Sequence, residues 1–541
     1  MLRPKRQSSS TITVTAPIGG WNAVTQLAAM SPNEAVVIDN WFCLPTELQV
    51  RKGYTEWATG YNGNIQSFIN YSPASGTIKF FAAADNNGDC ALYDVSSQNI
   101  SVIDLVTESG DFITTEAGVL LDTNKAATVY GLTNAKFRFA QFANSGGHFT
   151  IAINDTDPLL LYDGTTWHSV TSTSTPYAIT GVDTSSLNDV ILHKRRVWFA
   201  EQNTLNGWYL DTDAISGTAH KFDFGPLFSQ GGSIAKLTTW TLDAGLGMDD
   251  YLVVLTTKGE VAVYKGVNPA DSTDWSLQGV YYIGSPVGFF PTCKYGGDAL
   301  LLNKDGLIPL SQCLMSSRVS TRISITNKIQ AKVTQATSDY ADNYGWQVIL
   351  FPPQNMLMIN VPTSDTTSDQ YVMNTISGAW SRFVDVNATT WTFINEEMYF
   401  GSAGGVYKFW DGQNDNGSVV TTDLLPAFSS FGTQSQIKRW SMARVSMGYD
   451  VSFSFSAQLS LDFDLVSQPP QPYNTLSSTA GIWDVGVWDN ALYGGNIIPF
   501  ARWQMASGMG HYGSYRIKTS SKTSDIRYYA TDYVLEAGGV L

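Results

Sequence analysis

Five histidines are the residues best suited to general base catalysis or metal binding, because imidazole titrates near neutral pH and ligates metals. They are His148, His168, His193, His220 and His511. They form no HxxxH pair and have no acidic residue at metal-ligand spacing. We therefore predict no metal site and no cofactor, and we interpret all five as surface histidines that are solvated or singly hydrogen-bonded.

Two pairs of carboxylates are candidates for glycoside hydrolysis, which needs two carboxyl groups about 5 to 10 Å apart across a pocket. They are Glu396 with Glu397 in INEEMYF, and Asp211 with Asp213 in LDTDA. Near neighbours on one strand do not face each other across a pocket. The sequence also lacks the GxSxG turn of hydrolases and the GxxxxGK[ST] loop of nucleotide-binding proteins. These observations predict a protein that is not an enzyme.

The densest basic cluster is Lys194, Arg195 and Arg196 in the stretch LHKRRVWF. Together with Trp198, these cations could contact phosphate groups or an acidic partner. The other interpretation is an exposed blade edge whose charges discourage pairing with a second chain. The sequence leaves both interpretations open.

The composition predicts a β-rich protein. Of the 541 residues, 15% are charged, 13% are aromatic and 47 are glycine, a mixture typical of many short strands joined by tight turns. The net charge of -15 argues against a nucleic-acid clamp, which needs a basic face. It is compatible with a channel through which nucleic acid slides without adhering.

Four cysteines, Cys43, Cys90, Cys293 and Cys313, form no CxxC pair. This spacing predicts free, buried thiols and folding in a reducing compartment. No stretch approaches the roughly 20 apolar residues of a membrane span, so no membrane-spanning segment is expected. The start of the chain, MLRPKRQSSS, lacks the apolar core of a secretory signal.

A short apolar strand that ends in an aromatic residue and a turn recurs at intervals of roughly 40 to 70 residues, the scale of a propeller blade with insertions. The clearest copies are LLLYDGTTWHSV at 159–170, NGWYLDTD at 206–213, GEVAVYKG at 259–266 and GGVYKFWDG at 404–412. We predict an all-β protein with a β-propeller of about six blades over residues 21–412.

One notable helix is expected at about 324–342. Ile325, Ile329, Val333 and Ala336 fall on one face at helical spacing, and Ser324 could cap its first turn. A core-covering helix and a subunit contact are both compatible with this pattern.

The C-terminal part, residues 413–541, is predicted to be a further β-sandwich-like domain. Apolar residues occupy alternate positions over 451–465, which indicates either one long strand or two strands with a bend near Ala457. Residues 1–20 are expected to form an extended arm, with a docking strand in STITVTAP as the alternative.

The stretch from Ala16 to Gly60 resembles the N-terminal signature of short-tailed bacteriophage tail hub or nozzle proteins, also called packaged-DNA stabilisation or tail tubular protein B-like proteins. The shared order is Gly-Gly, Leu-Ala-Ala-Met-x-Pro, Asp-Asn-Trp-Phe and Arg-Lys-Gly-Tyr. The signature residues are Gly19, Gly20, Asp39, Asn40, Trp41, Phe42, Arg51, Lys52, Gly53 and Tyr54. Further similar stretches run to ATDYVLEAGGVL at the C-terminus, and the departures, such as Cys43 and Leu44, are minor.

The resemblance implies a structural virion protein: a homohexameric ring at the end of a short tail, assembled in the host cytoplasm. It implies attachment to the tail adaptor, contact with fibre, spike, needle or plug proteins, and non-specific passage of genomic double-stranded DNA. The acidity would then keep DNA from adhering to the channel. The alternatives are a secreted carbohydrate-active or carbohydrate-binding propeller and a cellular scaffold propeller.

Residues 40–60 contain a short alternating strand after an aromatic and proline-containing turn. Since an N-terminal strand commonly closes a propeller, we expect Leu48–Val50 to pair beside GGVYKFWDG. Trp41 and Phe42 should then pack beneath it.

Overall fold

A computed structural model describes residues 9–98, 127–243, 248–315, 324–432, 434–465, 476–477 and 497–537. Short β-strands form most of this structure, as the composition predicts. The N-terminal strands are β1 (Ser10–Thr15), β2 (Gly20–Trp21), β3 (Glu34–Asp39), β4 (Trp41–Cys43) and β5 (Leu48–Val50). These strands lie in sheets that are otherwise built from distant parts of the chain.

The next strands form antiparallel sheets in chain order, which we call blades. The first three blades contain β6 (Tyr54–Tyr71), β7 (Lys79–Asn86), β8 (Asp89–Asp94) and β9 (Val129–Leu132); β10 (Arg138–Asn144), β11 (Gly147–Ile153), β12 (Leu159–Tyr162) and β13 (Trp167–Val170); then β15 (Leu187–His193), β16 (Arg196–Glu201), β17 (Asn206–Tyr209) and β19 (His220–Asp223). A separate parallel pair joins β14 (Ile179–Thr180) to β18 (Gly217–Thr218).

The remaining blades follow the same plan. They contain β20 (Ile234–Asp243), β21 (Met248–Thr256), β22 (Glu260–Lys265) and β23 (Ser276–Tyr282); β24 (Thr292–Tyr295), β25 (Asp298–Asn303) and β26 (Gly306–Pro309); β27 (Gln347–Phe351), β28 (Met356–Pro362), β29 (Ser368–Asn374) and β30 (Trp380–Phe383); and finally β31 (Thr390–Ile394) with β32 (Glu397–Phe409). Each blade presents an apolar face to the next, which explains the separate hydrophobic clusters between blades.

The blades close into a ring. Contacts run in order from blade to blade, mostly through their first strands but through β25 in the fifth blade, and β31 returns to contact β6. The ring therefore has seven inner positions, close to the expected count of about six. Residues 54–59 of β6 pair with β32 of the last blade, whereas residues 64–71 pair with β7 of the first. One strand thus fastens the end of the ring to its beginning.

The expected pairing of Leu48–Val50 beside GGVYKFWDG is wrong. β5 pairs with β4 and with β39 (Ile526–Ala537), where Leu48 lies opposite Tyr528. The reason is that β6 already occupies the edge of β32. Trp41 packs against Tyr528 with ring centroids 6.4 Å apart. Phe42 does pack under the last blade, 5.7 Å from Trp410.

The C-terminal strands form two sheets that pack face to face, as a β-sandwich does. They are β33 (Val420–Pro426), β34 (Lys438–Tyr449), β35 (Ser452–Leu461), β36 (Leu476–Ser477), β37 (Ile498–Gly510), β38 (Gly513–Ser521) and β39. Trp440 and Tyr528 from one sheet share a buried core with Phe455 and Ile517 from the other. β35 is one strand, because it pairs with β38 without a register shift.

The sandwich is continuous with the propeller. β3 pairs with β33 and contacts β30, so the sixth blade and one sandwich sheet form a single ten-stranded sheet. In the other sheet, β1 pairs with β39 from Ser10 opposite Leu535 to Thr15 opposite Ala530. The docking-strand alternative is therefore confirmed for this part of the N-terminal arm.

The helical face is confirmed, but the helix begins later than predicted. It is α2 (Gln330–Tyr340), which follows a 3-10 turn and a shorter helix, α1 (Leu310–Met315). Ile329, Val333 and Ala336 are buried against the core. Ser324 does not cap the helix; its hydroxyl donates to the Leu307 carbonyl at 3.2 Å. Among the described residues, no helix has the length and apolar character that crossing a membrane requires.

Candidate functional site

The signature residues meet in one buried junction around Arg51. The Arg51 guanidinium is fully buried, and its two terminal nitrogens donate to both oxygens of Asp415 at 2.7 and 2.6 Å. Its Nε donates to the Asn40 side-chain oxygen at 2.8 Å, and Nη2 also reaches the Val384 carbonyl. A planar guanidinium is the group that satisfies so many acceptors at once.

Asn40 orients the acceptors of this junction. Its backbone has φ 60, the left-handed region that asparagine tolerates better than most residues. Its side-chain oxygen accepts from Arg51 and from the Val384 backbone, and its amide donates to the Thr421 carbonyl at 2.8 Å. One side chain therefore connects the N-terminal segment, the end of the sixth blade and β33.

Asp39 and the two glycines complete the junction on the side of the sixth blade. Asp39 accepts two hydrogen bonds from Arg382, at 2.8 and 2.7 Å. Gly20 has φ +81, and a Cβ there would lie 2.5 Å from the Trp380 carbonyl oxygen. Gly19 similarly lies against the backbone of Asn33. A side chain at Gly20 would push the N-terminal segment away from β30, and one at Gly19 would push it away from Asn33.

Lys52, Gly53 and Tyr54 join the junction to the last blade. The Lys52 carbonyl accepts from Arg51. A Cβ on Gly53 would lie 1.7 Å from the Asn414 carbonyl oxygen, so only glycine fits. Tyr54 packs edge-on against Phe400, and burial raises its pKa to about 12. The signature thus builds the joint between propeller and sandwich, and it presents no reacting group.

A second polar cluster lies where the inner strands converge. Arg138 on β10 donates to the carbonyls of Asn188 and Ala235, each at 3.0 Å, and to the Phe289 carbonyl at 2.9 Å. These acceptors belong to the third and fourth blades and to the segment before β24. Asp189, fully buried, accepts from Lys236 at 2.7 Å and from the Leu237 backbone.

Contacts between non-neighbouring blades show that side chains fill the propeller axis at this end. Arg138 of the second blade stacks over Phe289, with 4.2 Å from guanidinium carbon to ring centroid. Phe289 lies 5.8 Å from the ring of Tyr344, whose hydroxyl donates to the Gln66 carbonyl of the first blade. Such contacts can form only across the axis. This end of the axis is therefore closed.

Among the described residues, most of the carboxylates singled out in the sequence contact other groups. Asp189, on the inner strand β15, is already paired with Lys236. Glu397 is paired with Lys408, and Glu396 has φ 62 in the turn before it. Asp211 and Asp213 instead pair with the basic hairpin described next.

Each cation of the basic cluster has a carboxylate close by. Lys194 and Arg195 form the β15–β16 turn, with φ 47 and 62. Arg195 makes two 2.7 Å hydrogen bonds to Asp213. Lys194 lies 3.9 Å from Asp250, and Arg196 lies 3.7 Å from Asp211. Local carboxylates thus compete with any phosphate or partner for these cations.

His193 differs from the surface histidine that we expected. Its side chain is 2% exposed, packs against Trp275, and has an Nδ1 without a hydrogen-bond partner in the described part of the chain. Burial lowers its pKa to about 4, helped by Lys194 and opposed by the Gly266 carbonyl and Asp250. The other four histidines are exposed or half-buried, and His168 lies 2.9 Å from Asp163.

The His193 pKa predicts an acid-sensitive fold. The unfolded chain binds this proton below about pH 6.5, whereas the folded protein binds it only near pH 4, so stability is lost as the pH falls between these values. We expect His193→Phe to reduce the loss of unfolding free energy between pH 7 and pH 4 by about 3 kcal/mol. Urea unfolding of both proteins at the two pH values measures this difference. Identical losses would contradict it.

The described thiols and acids offer no metal site. Cys43, Cys90 and Cys293 are free; Cys43 and Cys90 are buried, as expected, whereas Cys293 is only half-buried. Burial raises the pKa of Cys43 and Cys90 to about 12. The Cys313 side chain lies outside the described residues. Within the residues that the structure covers, no group of three or more His, Cys, Asp or Glu side chains could hold a metal ion.

No protein-family model matches the sequence, and no match was found among curated proteins. Solved structures of low identity do match. The BBS1 N-terminal domain in complex with ARL6 shares 11% identity over 49% of this chain and 74% of its own, with a TM-score of 0.27. Raptor from Chaetomium thermophilum shares 8% identity over 67% of this chain and 29% of its own, with a TM-score of 0.35. A glycoside hydrolase family 43 arabinoxylan arabinofuranohydrolase from Bacillus subtilis shares 10% identity over 89% of this chain and 96% of its own, with a TM-score of 0.24.

Sequence reasoning missed the partners of the signature residues. Asp415 and Arg382 lie more than 300 residues from Arg51 and Asp39, and no spacing rule connects them. Arg138 was missed because an isolated arginine at the start of a strand carries no sequence signal. Their roles appear only when the ring closes.

Proposed function

We propose that this chain is a structural subunit of a short phage tail, a nozzle or hub protein whose copies form a homohexameric ring. The observation that supports this best is the junction: the residues that carry the resemblance are those that join the propeller to the sandwich. A signature at that position favours a shared architecture over a surface motif acquired separately. The chain would act in the virion as a conduit and without catalysis.

The closed axis bears on where DNA would pass. Arg138, Phe289 and Tyr344 occupy the propeller axis, so a duplex would pass between copies of the chain and not through one propeller. The hexameric assembly, and not the propeller of one subunit, would then provide the channel. In this assembly one face of the ring would meet the tail adaptor, and other surfaces would meet fibre, spike, needle or plug proteins.

The proposal is tested by imaging the purified full chain and the intact virion by electron microscopy. We expect six-fold particles of the pure protein and the same ring at the end of the tail, together with other tail proteins. A monomer at micromolar concentration that binds or cleaves a polysaccharide would favour the carbohydrate-directed propeller. A ring lumen with net basic charge would contradict the proposed role of the acidity.

Free duplex DNA should not adhere to the protein. The net charge of -15 opposes counterion release, the term that dominates non-specific DNA binding. We expect no retention of a mixed-sequence duplex in a mobility-shift assay at about 50 mM salt, a condition that strengthens non-specific binding. Retention that disappears steeply with added salt would indicate a basic lumen and contradict this prediction.

A further inference from the structure

Two strands at sheet edges expose apolar side chains. The first, which we call the methionine edge, consists of β37 with Met442 of β34 beside it. Met505 and Met509 are 81% and 72% exposed, and Trp503 and Met442 are each 39% exposed. Met442 lies opposite Met505 in the strand register. β37 pairs with β34 on one side and with no described strand on the other.

The second is the tyrosine edge, β23, the outermost strand of the fourth blade. Leu277, Val280 and Tyr282 are 40%, 37% and 64% exposed. β23 pairs with β22, and no described strand covers its outer side. Unpaired apolar edge strands are templates for pairing with another chain, and soluble proteins usually blunt them with charge, proline or short length. The 13-residue β37 carries one charged residue, Arg502.

The charges beside the two edges are opposite. Arg439 is exposed at the methionine edge, opposite Met509 in the strand register, and it has no ion pair in the part of the chain that the structure describes. Asp271 and Asp274 are exposed in the turn before β23, again without a cation among the described residues. Complementary charge favours contact between the two edges.

We infer that the methionine edge of one copy docks on the tyrosine edge of the next, with Arg439 facing Asp271 and Asp274. The contact is head-to-tail, because it joins two different surfaces, and repetition of such a contact closes into a ring when the rotation permits. Methionine side chains suit this surface since they adapt to an irregular neighbour. The inference rests on the proposed ring and specifies its subunit contact.

Cysteine cross-linking tests the contact in the full chain. Met505→Cys combined with Tyr282→Cys in one chain should give, on oxidation, a disulfide-linked ladder up to the size of the ring. A mixture of the two single variants should stop at linked dimers, and each single variant alone should not link. Val24→Cys with Met505→Cys is the matched control, because Val24 is 56% exposed and follows β2, which lies in a different sheet from β37 and β23, so it should give no ladder.

Charge substitution gives an independent readout. Met505→Asp with Met509→Asp should raise the concentration at which the ring dissociates by about tenfold or more, measured by mass photometry, and leave the circular-dichroism spectrum of the folded chain unchanged. Self-linking of Met505→Cys would overturn the inference in favour of a two-fold contact. If the wild type forms rings but the Met505→Cys, Tyr282→Cys chain gives no ladder, only this inference is overturned. If the wild type is a monomer, both this inference and the proposed function are overturned.

Discussion

Replacing Arg51 by alanine is expected to lower the free energy of unfolding by about 3 to 5 kcal/mol, because it leaves the Asp415 carboxylate buried without its counter-charge. Asp415 is 5% exposed, so water cannot replace the guanidinium. The substitution also removes the donors to Asn40 and to the Val384 carbonyl. The expected measurement is a large shift of the urea midpoint of the full chain.

Arg195 provides the matched control. It makes the same two-pronged contact with Asp213, at 2.7 and 2.7 Å, but its side chain is 73% exposed. Exposed pairs contribute roughly 0 to 1 kcal/mol, so Arg195→Ala should barely move the midpoint. Removing both charges, as Arg51→Met with Asp415→Leu, should be less damaging than Arg51→Ala. Equal effects of the two alanine variants would refute the role of the junction.

Replacing Arg138 by alanine is the second change with a large expected effect, about 4 kcal/mol. Three carbonyl oxygens, of Asn188, Ala235 and Phe289, lose a charged donor, and a buried acceptor left without a partner costs roughly 1 to 3 kcal/mol. The stacking of the guanidinium on the Phe289 ring is lost as well. Because these contacts cross the axis, the variant should loosen several blades together.

Urea unfolding and limited proteolysis measure this outcome. Arg138→Lys is the informative control, since it keeps the charge but cannot hold three carbonyls in the planar geometry of arginine. We expect an intermediate loss for lysine and faster cleavage in the segments around Phe289 and Tyr344 for alanine. A loss below about 1 kcal/mol for alanine would mean that the axis is held by apolar packing alone.

The local pattern of the sequence predicts much of the fold. Short alternating runs with turn residues identify strands, because side-chain direction has a period of two in any strand. Thus β21 and β22 join at Gly259, and β35 follows the alternation that begins at Val451. The buried face of α2 was likewise predictable from helical spacing.

Positions in the ring were not predictable in the same way. The strand Leu48–Val50 was recognised, but its partner was wrong, because edge pairing depends on which edges remain free after β6 closes the ring. The prediction that all five histidines lie at the surface was wrong for His193 for a similar reason. The contacts of His193 with Trp275 and Gly266 arise between blades and have no sequence spacing.

The sequence by itself determined the β-rich class, the recurring blade unit, the helical face and the signature from Gly19 to Tyr54, because each depends on residues close along the chain. Only the tertiary structure decided the partners of that signature, the closed axis and the two exposed edges. Asp415, Arg382 and Phe289 acquire their roles through contacts between residues far apart in the chain. Such contacts depend on how the propeller of one chain closes, and no local periodicity in the sequence predicts them.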